Sequence, residues 1–283
     1  MKVNTFIVGA PKAGTTSLHY YLQQHPEVCM SAIKEPNFFT AANVSDLYYD
    51  VDPILNEDDY HLIFSDLKKK VVGEASVSYL YYPLIADKIF EYNPKAKIII
   101  LLRNPVQRAF SHYLMDKRLG LCNVSLLEII DNPQKHPQFY QQFVELGLYF
   151  SQVKRYIDVF GKEHVKLLMY DDLKLKVTSL LSSVFQFLSL DYVQVDTTVR
   201  NKFKAPSNSI ISALYRFKFL RSSINFLVPS RLLRSLKNLL FKESSKPKID
   251  KEVLRKLALL YNKDIDQLSK LLNKDLSQWK KVN

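Results

Sequence analysis

Residues 5–18 read TFIVGAPKAGTTSL. A short apolar run ends at Gly9, and a helix-like pattern starts at Thr15. This junction constrains the fold more than any other stretch of the chain. A strand, a tight turn and a helix form the opening of a βαβ unit. That geometry aims backbone N–H groups and the positive end of the helix at one spot. Gly9 and Gly14 are two of only six glycines in the chain. Lys12 adds a full charge, and Thr15, Thr16 and Ser17 add hydroxyl donors. A tight turn alone would explain the glycines, but it gives no reason for four donor side chains within six residues. Pro11, Lys12, Ala13, Gly14, Thr15, Thr16 and Ser17 therefore describe a cradle for phosphate or sulfate.

Further apolar runs read as buried parallel strands: 3–8, 28–31, 71–74, 97–102 and 165–169. Helical patterns alternate with them at 15–25, 79–92, 105–119 and 147–160. Asn104 is placed to cap the third of these, with Pro105 at its first position. Alternation of this kind predicts an α/β fold of three layers, P-loop-like, with a central parallel sheet of about five strands between helices. A helical C-terminal part follows, with Asp250 capping a long amphipathic helix. The expected organisation is one domain over 1–283, with a core at 1–195 and a basic helical part at 196–283.

Composition narrows the setting. The two cysteines, Cys29 and Cys122, are too few for a disulfide framework or a zinc cluster and suit a reducing compartment. The apolar run in MKVNTFIVGAPK is too short for a signal-peptide core. No run approaches the roughly 18 apolar residues of a membrane span. A cytoplasmic protein is expected. The net charge of +12 is local: residues 197–242 hold ten Lys and Arg and no acid, and removing those ten leaves +2.

A second anion site is written in KIIILLRNPVQRAFSHY (97–113). Arg103 ends a predicted strand, at the sheet edge where α/β proteins bind ligands. Ser111 lies two turns along the next helix, on the side of Asn104 and Arg108. Arg grips phosphate bidentately, and Ser adds a neutral donor. The competing reading has Arg103 capping a carbonyl or pairing with Asp116. With the first loop, the pair describes a ligand carrying two separated phosphate groups. A P-loop kinase would need Lys directly after Gly14, where Thr15 stands, and a carboxylate at a strand end to hold magnesium, where Arg103 stands.

The loop GAPKAGTTSL and the stretch LLRNPVQRAFSHY resemble the two signatures of sulfotransferases that use 3′-phosphoadenosine-5′-phosphosulfate (PAPS). The resemblance extends through KEPNFF, GEASVSYLY, GLYFSQVKRYIDVFG and VKLLMYDDL and covers roughly 3–190. It is closer to the branch of heparan-type glycan enzymes and bacterial relatives than to the small-molecule enzymes. It implies that the first loop holds the 5′-phosphosulfate, that Arg103 and Ser111 hold the 3′-phosphate, and that Lys12 reaches the bridging oxygen. No metal is implied. It also implies that Glu35 is the catalytic base, although by itself Glu35 reads as a surface carboxylate paired with Lys34. None of the six histidines follows the third strand, where the small-molecule branch needs its base. Glu74 and Ser76, at the end of that strand, are expected to face the site as substrate contacts, Glu74 orienting the acceptor or pairing with Lys12. Ala75 stands where glycan enzymes often carry Lys. Lys202 and Lys204 fall where the family places a loop over the 3′-phosphate.

The expectation is transfer of a sulfuryl group from PAPS to an acceptor hydroxyl, leaving 3′,5′-adenosine bisphosphate. A glycan is the expected acceptor, with a lipid or small molecule as alternatives. Residues 210–242 could hold an acidic acceptor, touch an anionic membrane, or form a solvated face. Nucleic acid is not expected, since no reader motif is present. The rivals are a P-loop kinase and a non-enzymatic module that binds a polyanion or membrane through 197–242.

Overall fold

A computed structural model describes residues 2–45, 47–198, 204–206, 241–243 and 247–281. Its centre is a five-stranded sheet, all parallel, in the order β2-β3-β1-β4-β5. The strands are β1 (Thr5–Gly9), β2 (Val28–Met30), β3 (Val71–Ala75), β4 (Lys97–Leu102) and β5 (Val165–Met169). β1, β3 and five of the six β4 residues are fully buried. Burial on both faces explains why these runs are apolar without alternation. After β1 the chain crosses to β2 on one side, and after β4 it leaves for β5 on the other. The crevice between those departures opens at the carboxyl edge, where ligands of open α/β sheets bind.

Helices cover both faces. Gly14 begins the helix Thr15–Gln23 in the left-handed region, at φ 98. A Cβ there would lie 2.6 Å from Leu173 Cδ2, so both conformation and space call for glycine. The helix Pro105–Leu119 follows its sequence signals: the Asn104 side chain accepts from Val106 and Gln107 N–H, Pro105 opens it and Gly120 ends it. The predicted helix 79–92 is shorter, running from Ile85 to Tyr92. Pro83 disfavours helical backbone at Tyr82, and Leu84 adopts a left-handed φ of 65. Arg155 Nη1 donates to the carbonyls of Leu80, Tyr81 and Tyr82 along the resulting turn.

The helix Lys251–Leu272, capped by Asp250, packs against the helix Tyr149–Phe160. Leu257, Tyr261, Ile265 and Leu268 are buried in the main core. Gly147 lets Tyr261 approach, since a Cβ there would lie 2.8 Å from the Tyr261 hydroxyl. Asp264 supplies a tertiary cap, its carboxylate accepting from Tyr149 N–H at 2.8 Å and Phe150 N–H at 3.1 Å. The basic stretch 210–242 lies outside the described residues, apart from the first two positions of the short strand Phe241–Glu243, which pairs with Lys204–Pro206. Among the described residues no helix is long and apolar enough to cross a membrane.

Asp264→Ala is expected to lower unfolding stability by about 1–2 kcal/mol, the range for loss of a helix cap. Urea denaturation checks this, and Asp264→Asn should recover part of the loss.

Candidate active site

The loops after β1, β2, β3, β4 and β5 meet at the carboxyl edge around a cavity of about 1040 Å³. Pro11, Lys12, Gly14, Thr15, Thr16 and Ser17 line one end, with Arg103 and Ser111 beside them. Ala13 is buried beneath the loop instead, its N–H donating to Ala10 O. The helix from Thr15 has no side-chain cap; Ser17 N–H donates back to Gly14 O at 3.0 Å, and the N–H groups of Thr15 and Thr16 are left for a ligand.

Lys12 occupies the left-handed region at φ 64. Its ammonium meets Met115 Sδ at 3.0 Å, a weak acceptor for a full charge. Burial, with a contribution from Arg118, lowers the Lys12 pKa to about 8, against the opposing fields of Asp116 and Glu35. Arg103 donates from Nη1 to the Lys12 carbonyl at 3.0 Å and lies over the Tyr170 ring at 4.5 Å. Its Nε is buried and has no hydrogen-bond partner among the described residues. Two cations are thus held at one end of the cavity, and neither forms an ion pair among the described residues. An anion is what such a place lacks.

Arg103 does not pair with Asp116, as one sequence reading allowed. It caps a carbonyl and lines the cavity as well. The Asp116 carboxylate accepts a short bond from Tyr48, and burial raises its pKa to about 6. Arg108 does not join Ser111 in lining the cavity. It is fully buried and donates to the carbonyls of Gln142 and Phe143 at 3.1 and 2.6 Å. Residues three apart are neighbours on a helix surface, so the backbone does not separate them; the long Arg108 side chain turns to those carbonyls while Ser111 stays at the cavity.

Glu35 lines the cavity and forms a short ion pair with Lys34. Both its sequence readings, cavity carboxylate and partner of Lys34, are therefore present at once. Its φ is 63, and that of Asn37 is 51. Of six non-glycine residues in the left-handed region among those described, Lys12, Glu35 and Asn37 are at this cavity. Left-handed backbone concentrated in this way is held by surrounding structure and is common at functional sites.

Glu74 and Ser76, expected to face the site, are part of that surrounding structure. Neither lines the cavity, and Glu74 does not pair with Lys12. Glu74 is 0% exposed and accepts from Tyr79 at 2.7 Å, Tyr60 at 3.0 Å and Ser76 at 2.7 Å. Burial raises its pKa to about 7, and those hydroxyls restrain the rise. Ser76 Oγ in turn accepts from Asn37 N–H at 3.1 Å, and Asn37 Nδ2 donates to Glu35 O at 2.8 Å. Glu35 N–H also donates to Ala75 O at 2.9 Å. A relay from Glu74 through Ser76 and Asn37 thereby fixes the Glu35 loop to β3.

Sequence reading missed Asn37, Tyr49, Tyr82, Met115 and Tyr170 in the lining. Two carried a signal: Met115 is one turn beyond Ser111, and Tyr170 directly follows β5. Lys202 lies outside the described residues, and Lys204 is described only as part of a short strand. Among the described residues no group of three or more His, Cys, Asp or Glu side chains could hold a metal ion.

Comparison with known proteins converges on one family. A model described as the sulfotransferase domain matches residues 2–214. Mouse carbohydrate sulfotransferase 15 is 27% identical over 248 residues, spanning 65% of this chain and 43% of that protein. The bifunctional heparan sulfate N-deacetylase/N-sulfotransferase 1 of Caenorhabditis elegans is 25% identical over 204 residues, spanning 69% of this chain and 23% of that protein. The chain thus spans less than half the length of these relatives. A sulfotransferase from Alicyclobacillus acidocaldarius superposes with a TM-score of 0.74 at 28% identity, covering 99% of this chain and 100% of that one. Mouse SULT7A1, solved with PAP, shares the fold with a TM-score of 0.51 at 15% identity, over 96% of this chain and 89% of that one.

Glu74→Ala leaves three buried hydroxyls short of an acceptor. The expected loss of stability is on the order of 3 kcal/mol, read from urea unfolding.

Proposed function

The chain belongs to the sulfotransferase family, and from that premise we propose that it moves a sulfuryl group from PAPS to a hydroxyl of a sugar acceptor. One observation carries the reading: Lys12 and Arg103, two desolvated cations without ion pairs among the described residues, meet the open N-terminus of the helix Thr15–Gln23 in one cavity. The residues fit the donor. The unpartnered Arg103 Nε and the weakly engaged Lys12 ammonium both lack the acceptor that phosphate oxygens supply. Pro11 to Ser17 would hold the 5′-phosphosulfate, and Arg103 with Ser111 the 3′-phosphate. Lys202 and Lys204 are proposed to close over the nucleotide. The proposal needs no metal.

Glu35 takes the proton of the acceptor hydroxyl. As the acceptor oxygen bonds to sulfur, the bond from sulfur to the bridging oxygen breaks, and its electron pair stays on the 5′-phosphate. Lys12 stabilises that charge, which is the electrostatic part of the catalysis. Glu74 is a positioning residue for Glu35, acting through Ser76 and Asn37. The sugar acceptor is supported by the similarity to carbohydrate and heparan sulfate sulfotransferases.

Calorimetric titration with 3′,5′-adenosine bisphosphate and, separately, with ATP and magnesium tests the donor. The bisphosphate should bind more tightly, and Arg103→Ala should weaken it roughly 10–100-fold. Since the anion favours the Lys12 ammonium, affinity should fall as pH rises through about 8, and this dependence should vanish in Lys12→Ala. Tighter binding of ATP would refute the assignment. Glu35→Gln should leave bisphosphate affinity near normal and cut turnover by roughly 100-fold or more. Full turnover in that variant would exclude Glu35 as the base.

A further inference from the structure

The two ends of the cavity differ in charge. Lys12 and Arg103 mark the donor end. On the other side of Glu35 the wall comes from a different part of the chain. Residues 35–67 contain eight Asp and Glu and no Lys or Arg. This stretch contributes Asp50, Asp52 and Asp59 to the lining. The nearest cation in the sequence, Lys34, is ion-paired with Glu35.

The wall is a built surface. Ile54 N–H donates to Pro36 O at 2.9 Å, which ties it to the loop of Glu35. Asn56 caps the helix Glu57–Leu62 and accepts from Asp59 N–H at 2.9 Å. Between its carboxylates the wall presents aliphatic side chains to water. Leu55 is 77% exposed and Ile33 51% exposed, and both line the cavity with Val51. Tyr49 feels the charge of Glu35 and lies near Tyr82, so two amphipathic rings stand beside the proposed base.

Resting on the sulfotransferase reading, we infer that the acceptor is an uncharged glycoside with an apolar aglycone. Its sugar meets Glu35, Tyr49 and Tyr82, and its aglycone rests on Ile33, Val51 and Leu55. A uronic-acid or sulfated chain would set its own charges against Asp52 and Asp59, and like charges at an interface reject a partner. The volume suits two ligands side by side: about 1040 Å³ lies at the top of the roughly 300–1,000 Å³ usual for one small-molecule pocket. The exposed aliphatic side chains would then be covered by the apolar half of the second ligand.

Transfer from radiolabelled PAPS to octyl glucoside, methyl glucoside and hyaluronan, at matched hydroxyl concentration, tests this. Octyl glucoside should react at least about tenfold faster than hyaluronan. The double variant Asp52→Lys, Asp59→Lys should shrink that ratio by a similar factor, and Leu55→Ser should narrow the advantage of the octyl over the methyl compound. Equal or faster transfer to hyaluronan in the unaltered protein would overturn the inference, as would ratios that neither variant moves. Bisphosphate titration separates the two levels. If the bisphosphate binds normally and neither glucoside is sulfated, this inference fails and the donor assignment stands. If the bisphosphate does not bind, both fail.

Discussion

The guanidinium of Arg103 donates to the carbonyl of Lys12, and in doing so it joins the loops that leave β1 and β4 in opposite directions. The bond fixes the width of the crevice at the switch point of the sheet. It also brings two cations close together, and Arg103 disfavours the charged form of Lys12. Buried like charges are costly unless something compensates them. Tyr170 supplies part of the compensation through its ring, and Asp116 and Glu35 supply part through their fields. The remainder is a standing electrostatic demand for an anion. The fold keeps this demand because the surrounding strands and helices, buried to near completeness, hold the loops in place.

A second charge is buried on the far side of β1, with opposite logic. Among the described residues Glu74 has no cation as a hydrogen-bond partner, and three hydroxyls satisfy it. Such a carboxylate is weak as a source of stability and strong as an organiser, since each hydroxyl must point at it. Tyr60, Tyr79 and Ser76 are thereby fixed. Tyr79 also accepts from Phe39 N–H at 3.3 Å, and Ser76 from Asn37 N–H at 3.1 Å. The segment 37–39, separated from the proposed base by Pro36 alone, is therefore suspended from β3 by two hydroxyls that both answer to Glu74. The left-handed backbone of Glu35 and Asn37 is tolerated because this suspension leaves the loop little alternative.

The parts legible in the sequence share a physical property: their signals are local. A buried parallel strand is a run of apolar residues, a helix start is a cap followed by proline, and an anion loop is glycine with clustered donors. Hence β4 and the helix Pro105–Leu119 fall where the pattern puts them, and Lys12, Thr15, Arg103 and Ser111 meet as expected. What the sequence hid depends on side-chain direction and on distant partners. Arg108 and Ser111 are three residues apart on one helix, yet one enters the core and the other the cavity. Glu74 looked like a site residue because it ends a strand at the ligand edge. Its partners at 60 and 79 come from other segments, and only the assembled sheet shows that its side chain faces them. The cap that Asp264 provides to a helix beginning at Tyr149 is invisible for the same reason.

Segregation of charge along the chain gives the cavity its direction. The donor end takes its cations from the ends of two central strands, with Asp116 near Lys12, whereas the other four carboxylates of the lining, Glu35, Asp50, Asp52 and Asp59, come from the connection between β2 and β3. Glu35 opens that connection, so it stands at the boundary of the two fields. A base for sulfuryl transfer needs to be there: near enough to the donor for its acceptor to reach sulfur, and shielded from the donor's own negative charge by Lys12. The field of Glu35 favours the ammonium form of Lys12. Moving the lysine to the position after Gly14, as in a triphosphatase loop, would break that coupling. On the proposed mechanism, the placement of Lys12 inside the loop keeps it in the field of Glu35, the group proposed to take the acceptor proton.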